Sequence, residues 1–182
     1  MWFKRYRLLA VIWGIALVVG VREYRVSREM EQPVDFLTAE GASFADVMIP
    51  MRDGVKLFTI IYAPKDTTEE YPILLTRTAY GIGPYGPDTY REVIGPNNDF
   101  ARDGYIVAYQ DVRGKFRSEG DFEVIKPLSR DRPGSPETDE STDNYDAIEW
   151  ALEYLPNDNG RVGQWGISYP GWQTVMGMVD RH

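Results

Sequence analysis

Cysteine is absent from the 182 residues, and histidine occurs once, as His182. The first absence removes disulfides, thiol nucleophiles and Cys-ligated zinc. The second leaves no His-rich metal site and almost no conventional general base. Neither a metal nor a cofactor is expected. Positive charge is scarce as well, with Lys+Arg 20 against Asp+Glu 28 and a net charge of −8, which argues against a nucleic-acid partner because phosphates are met by clustered Lys and Arg. Apolar material is plentiful: 43% of the residues are hydrophobic, ample for a packed core and too much for a wholly disordered chain.

Residues 1–26 read as a targeting segment outside the fold. Lys4, Arg5 and Arg7 precede the uninterrupted apolar run Leu8 to Val21, and Arg22-Glu23-Tyr24-Arg25 follows it. A basic stretch followed by a short apolar one is the layout of a secretory signal. Fourteen residues make about 21 Å of helix, short of the roughly 30 Å hydrocarbon core, so a signal peptide is favoured over a spanning anchor. The expectation is an exported protein, periplasmic or extracellular, touching a membrane only through this segment if it is uncleaved. Loss of residues 1–20 removes three positive charges and leaves −11.

From Phe44 the periodicity becomes two. Phe44 to Met51 and Val55 to Ala63 flank Asp53-Gly54, a dipeptide suited to a tight turn with positive φ, and predict an antiparallel hairpin. Tyr71 to Arg77 and Tyr105 to Gln110 are short apolar runs without alternation, as in strands covered on both faces. A weak helical stretch between them is broken at Gly95-Pro96. A helix is predicted from about Thr142 to Leu155, with Ser141, Thr142 and Asp143 accepting from its first amides and Tyr145, Ile148, Leu152 and Leu155 on its apolar face. Arg161 to Trp165 reads as a strand, Gly166 to Gly171 as a tight turn, and Trp172 to Val179 as a further helix. This order implies an α/β fold with a mostly parallel sheet and helices on both faces.

The chemistry is concentrated in Gly166-Ile167-Ser168-Tyr169-Pro170-Gly171. A G-x-S-x-G pattern between a strand and a helix puts a serine on a sharp turn with its Oγ exposed, and the flanking glycines avoid a steric clash. Here the second glycine comes one position late, giving G-x-S-x-x-G. On these residues alone a nucleophile and an ordinary helix-capping serine both remain open.

Several blocks resolve this by likeness. Arg52-Asp53-Gly54-Val55-Lys56-Leu57, Thr76-Arg77-Thr78-Ala79-Tyr80-Gly81, the run Asp111 to Phe122, Thr138 to Asp143, Asp146 to Trp150, Asn159 to Gly163 and Trp165 to Gly171 occur in one order over about 140 residues. Together they resemble the bacterial α/β-hydrolase family of X-Pro dipeptidyl-peptidases, cocaine esterase, glutaryl cephalosporin acylase and, above all, the α-amino-acid ester hydrolases. The resemblance implies the N-terminal part of an α/β-hydrolase fold, with residues 40–182 a partial catalytic domain cut after the nucleophile turn. It implies that Ser168 is the acylated serine, that the Tyr80 hydroxyl is half of the oxyanion hole, and that the Tyr169 backbone N–H is the other half. Ala79 stands where the family usually has Pro, which bears on the aim of Tyr80.

Other prominent residues carry structural expectations. Asp111 and Arg113 are read as a local ion pair at the site rim, Trp165 and Trp172 as core rather than substrate platform. Glu137, Asp139, Glu140, Asp143 and Asp146 lack calcium-loop spacing and are read as a solvated start to the helix. The implied function is a serine acyl hydrolase of small acyl, aminoacyl or peptide substrates; the alternative is a non-catalytic remnant of that fold serving as a binding or structural module. In this fold the triad Asp and His follow the serine at a distance. Only 14 residues follow Ser168, and His182 would lie about 20 Å along a helix from it. The expectation is therefore an inactive fragment of an active parent.

Overall fold

The computed structural model describes residues 37–39, 42–86, 89–129 and 138–180. The basic and apolar N-terminal run, Glu137 and His182 lie outside the described residues. Among the described residues no helix is long and apolar enough to cross a membrane.

The hairpin forms as the turn dipeptide predicts. Strands β2 (Ala42–Pro50) and β3 (Lys56–Pro64) pair antiparallel from Ala42↔Pro64 to Pro50↔Lys56. Gly54 sits at φ +86 and donates its N–H to the Met51 carbonyl at 2.8 Å, a conformation that glycine adopts without a Cβ penalty. A short β1 (Leu37–Ala39) adds to the outer side of β2. Strands β4 (Tyr71–Thr78), β5 (Ile106–Asp111) and β6 (Asp158–Gln164) supply the rest of a six-stranded sheet in the order β1-β2-β3-β5-β4-β6. Its β1-β2-β3-β5 part is antiparallel, whereas β5-β4-β6 is parallel, so the sheet is mixed across the described residues. The parallel half carries the crossovers that bring loops to one strand end.

Side chains alternate across the sheet and build two cores. On one face Phe44, Phe58, Ile60, Tyr62, Val107 and Tyr109 are buried with Ile82 from the β4–β5 connection. On the other, Ile49, Ile61, Ile73, Leu75 and Ala108 meet Ala147, Trp150 and Ala151 of helix α2 (Glu140–Tyr154). Each such burial is worth about 1.5–3 kcal/mol for a large aliphatic. Among the described residues the β4–β5 connection holds a five-residue helix, α1 (Asn98–Arg102), which starts after Gly95-Pro96 and is not interrupted by it. Asn97 caps it, accepting from the Asp99 N–H at 2.9 Å.

Helix α2 departs from its predicted start and face. Asp139 is the N-cap: one carboxylate oxygen accepts from the Ser141 and Thr142 amides, both at 2.9 Å, while the Thr142 hydroxyl accepts from the Asp139 N–H at 2.8 Å. The buried side turns on Ala147, Trp150 and Ala151; of the four predicted positions Leu155 is buried and Ile148 reaches the same core, whereas Tyr145 and Leu152 stay part-exposed. Small residues four apart let the helix lie close to the sheet, which the larger hydrophobics would not. Tyr145 instead lies 5.8 Å beneath the Arg52 guanidinium.

The acidic start of α2 is not solvated. Asp139, Glu140 and Asp143 are 3%, 4% and 1% exposed, because each has a buried partner. Arg113 grips Asp143 with two bonds, of 2.9 and 2.6 Å, and reaches Asp53 of the hairpin turn at 2.8 Å. Arg52 takes Asp146 in the same bidentate way, its shortest bond being 2.7 Å. Arg77, at 0% exposure, donates to Gln110 at 2.8 Å, to the Glu140 carbonyl at 2.8 Å and to Gln173 at 3.1 Å. Forked guanidiniums suit this bidentate work.

The same network sets the acid limit of the fold. Burial opposes the charge on Asp53 and on Asp139. For Asp53 it is outweighed by bonds from Arg113 and the Val55 N–H, and for Asp139 by the Ser129, Thr142 and Ser141 donors, so both carboxyls are held below their ordinary value. A lowered folded-state pKa contributes stability that is present above the unfolded value, about 3.9 for Asp, and is lost as pH falls through the folded one. The share of the urea midpoint that these two carboxyls contribute should therefore be lost as pH falls below about 4. Asp139→Asn should be less stable at pH 6 yet lose less on acidification; an unchanged slope in this variant would remove Asp139 from the account.

Candidate active site

Strand β6 ends at Gln164 and helix α3 (Tyr169–Met176) starts five residues later. The turn between them is sharper than capping needs. Ser168 occupies the N-cap position at φ +62 and ψ −123 and makes no side-chain capping bond. A non-glycine residue in the left-handed region is strained, and such strain clusters at functional sites. The glycines explain how the turn closes: a Cβ on Gly166 would lie 2.3 Å from the Pro170 carbonyl carbon, and one on Gly171 would lie 3.0 Å from the Gly166 carbonyl oxygen. The two glycines are the points where strand end and helix start touch, so their spacing of five places both where no side chain fits. Helix α3 begins at Tyr169, earlier than the predicted Trp172, since Pro170 suits its first turn.

Ser168 is exposed. Tyr169 opens α3, where an N–H has no partner one turn back. Tyr80 stands on the β4–β5 connection, 65% exposed, with its ring 6.0 Å from that of Tyr169. The fold thus brings Ser168, Tyr169 and Tyr80 to one end of β4 and β6. Trp172 and Phe122 join them at 5.2 and 6.3 Å from the Tyr169 ring. Trp172 and Trp165 are half-buried rather than core residues, because the first turn of α3 sits at the sheet rim. Burial, and then the nearby Glu140 charge, push the Tyr169 hydroxyl up.

Behind the turn, Gln173 is fully buried and accepts from Arg77 at 3.1 Å. The helix that follows Ser168 is therefore tied through Arg77 to Gln110 of β5 and to the start of α2. Glu140 is pushed up by burial, against the opposing pull of Arg77.

Asp111 and Arg113 are not ion-paired to one another. Arg113 turns to Asp53 and Asp143, and Asp111 turns inward, accepting from the Tyr85 hydroxyl at 3.0 Å, the Ile82 N–H at 3.2 Å and the Arg117 N–H at 3.4 Å. Residues two apart on a strand end share a face, but here the chain bends at Val112–Gly114, where Gly114 has φ +69, and the two side chains part. The chain entering Tyr80 is held: the Tyr80 N–H donates to Thr78 Oγ1 at 3.0 Å. Sequence reasoning missed this polar framework, in which most of the seven blocks take part; the signal was the paired Arg and Asp within them.

An antiparallel hairpin feeding a parallel sheet, with a strained serine between strand and helix, defines the α/β-hydrolase fold. Residues 53–182 match the profile of the X-Pro dipeptidyl-peptidase (S15 family). Cocaine esterase of Rhodococcus sp. (strain MB1 Bresler) is 37% identical over 140 residues, which cover 74% of this chain and 21% of that enzyme. Among solved structures, an aminopeptidase from the marine sediment archaeon Thaumarchaeota archaeon superposes with TM-score 0.64 at 39% identity, covering 80% of this chain and 25% of its own. An α-amino acid ester hydrolase gives TM-score 0.66 at 36% identity, covering 84% and 26%. The chain belongs to the X-Pro dipeptidyl-peptidase (S15) family, and it spans 21% to 26% of the length of these relatives.

Proposed function

We propose that the complete gene product is a serine acyl hydrolase that cleaves small acyl, aminoacyl or peptide substrates through an acyl-enzyme on Ser168. The observation that carries this reading is the Ser168 backbone at φ +62 without a capping bond, an exposed, strained serine next to Tyr169, whose ring lies 6.0 Å from that of Tyr80. Attack by Oγ on the carbonyl carbon gives a tetrahedral oxyanion; collapse expels the alcohol or amine and leaves the ester on Ser168, which water then hydrolyses. The Tyr169 N–H and the Tyr80 hydroxyl donate to the oxygen that gains charge, and one such donor is worth about 3 kcal/mol of barrier. The proton of Ser168 needs a base within about 3 Å, and residues 1–181 contain no histidine. In this reading the 182-residue chain alone does not turn over, and residues 1–26 direct the protein to export.

A fluorophosphonate probe tests the assignment. The complete gene product should be labelled stoichiometrically on the peptide containing Ser168 and should hydrolyse p-nitrophenyl esters, whereas the 182-residue chain should do neither. Label on another residue, or none in an active protein, would remove Ser168 from the mechanism; robust turnover by the short chain would overturn its proposed inactivity.

A further inference from the structure

Asp111 is fully buried, yet its hydrogen bonds come from uncharged donors: one phenol and two backbone amides. Its nearest basic neighbour, Arg117, lays its guanidinium 4.2 Å over the Phe58 ring and extends to Asp46 at 3.4 Å. A buried carboxylate held this way is costly, so what it holds is informative. The Tyr85 hydroxyl is 3.0 Å from both Asp111 oxygens and also accepts from the Ile82 N–H at 2.8 Å. Ile82 is 0% exposed, and its carbonyl accepts from Arg91 at 2.9 Å.

Two residues before Ile82 stands Tyr80. Its own N–H is tied to Thr78, and Gly81 between them sits at φ +91, where an added Cβ would lie 2.9 Å from the Phe116 ring. The short loop is therefore pinned on both sides of a side chain that is itself exposed. On the other flank of Asp111, the Arg117 N–H anchors the turn that carries Phe116, whose ring stacks 6.1 Å from Tyr85. One carboxylate gathers both walls of this corner.

We infer that Asp111 is a positioning residue for the reaction, setting the place of the Tyr80 hydroxyl through Ile82 and Tyr85. The inference rests on the serine-hydrolase reading and adds to it a group that never touches substrate. Only an acceptor with two oxygens satisfies these three donors. The Ile82 N–H uses one oxygen and the Arg117 N–H the other, so an amide would turn its N–H2 toward one of these two donors and release it. Misplacing a transition-state donor lowers kcat without weakening ground-state binding, and displacements near 1 Å cost on the order of 100-fold.

The test is a cycle in the complete gene product with Asp111→Asn, Tyr80→Phe and the double variant, on a p-nitrophenyl ester. Asp111→Asn should lower kcat about 10- to 100-fold with KM within about twofold, and should cost nothing further when Tyr80 is already Phe. Equal losses in both backgrounds, or a loss carried by KM, overturn the proposal. Should Tyr80→Phe and Ser168→Ala both leave turnover intact, the hydrolase reading has failed instead. Amide exchange of Ile82 in the 182-residue chain then decides the positioning claim by itself: Asp111→Asn should speed it at least tenfold, and unchanged protection refutes it.

Discussion

Replacing Ser168 by Ala should lower ester turnover by the complete gene product on the order of 10⁴- to 10⁶-fold, while leaving its thermal midpoint unchanged. The two halves of this expectation have separate causes. Activity falls because no other group at the turn is placed to form the acyl bond; what remains is the contribution of the oxyanion donors and binding. Stability does not fall because Ser168, although it stands where a helix cap would, makes no capping bond. An ordinary N-cap serine loses about 1 kcal/mol when changed to Ala, so the midpoint separates the two roles that the motif alone leaves open. Ser168→Gly should raise the midpoint, since a residue at φ +62 is strained unless it is glycine. Turnover kinetics and a melting curve on the three proteins decide the matter; a destabilised Ser168→Ala with activity within tenfold of the parent would restore the capping role.

Arg77→Met should destabilise the chain by about 3–5 kcal/mol, the usual cost of stripping one partner from a buried ionic network. Against a typical domain stability of about 5–15 kcal/mol, this leaves the protein largely unfolded or prone to aggregate near its working temperature. The size follows from what Arg77 serves. It satisfies Gln110, the Glu140 carbonyl and Gln173 at 2.8, 2.8 and 3.1 Å and faces the Glu140 and Asp143 carboxylates at 3.6 and 3.9 Å. Asp143 keeps Arg113; Glu140 is left buried without its nearest cation. Arg77→Lys retains the charge but has no fork to reach strand, helix start and α3 together, so it should fall between the two. Chemical denaturation followed by circular dichroism measures the series, and a loss below about 1 kcal/mol for Arg77→Met would show the network to be dispensable.

The two expectations meet at the same place. Arg77 and Gln173 lie directly behind the turn whose strain presents Ser168, and the Asp111 cluster lies behind the loop that presents Tyr80. A corner with exposed, strained groups needs buried polar scaffolding to hold them. This is why the arginine and aspartate blocks accompany the serine motif along the chain.

Much of this was legible in the residues. The Asp53-Gly54 turn, the five predicted strands and the strand-turn-helix around Ser168 all follow from local periodicity and from what Gly and Pro permit. These features depend on neighbours a few positions apart, and the chain carries such information in one dimension. The partners of the charged residues depend on contacts 30 to 96 positions apart, such as Arg113 with Asp143 and Arg77 with Gln173. No spacing rule announces them. Hence Asp139, Glu140 and Asp143 were expected in water and proved buried, Asp111 and Arg113 were expected together and proved apart, and the buried face of α2 turned on small alanines. Sequence alone determined most of the elements and the turn chemistry, because local sterics decide them, whereas for Ser168 the local residues left nucleophile and helix cap both open. Tertiary structure decided which charges are buried and which loop presents Tyr80, because a carboxylate's surroundings exist only once distant strands and helices have closed around it.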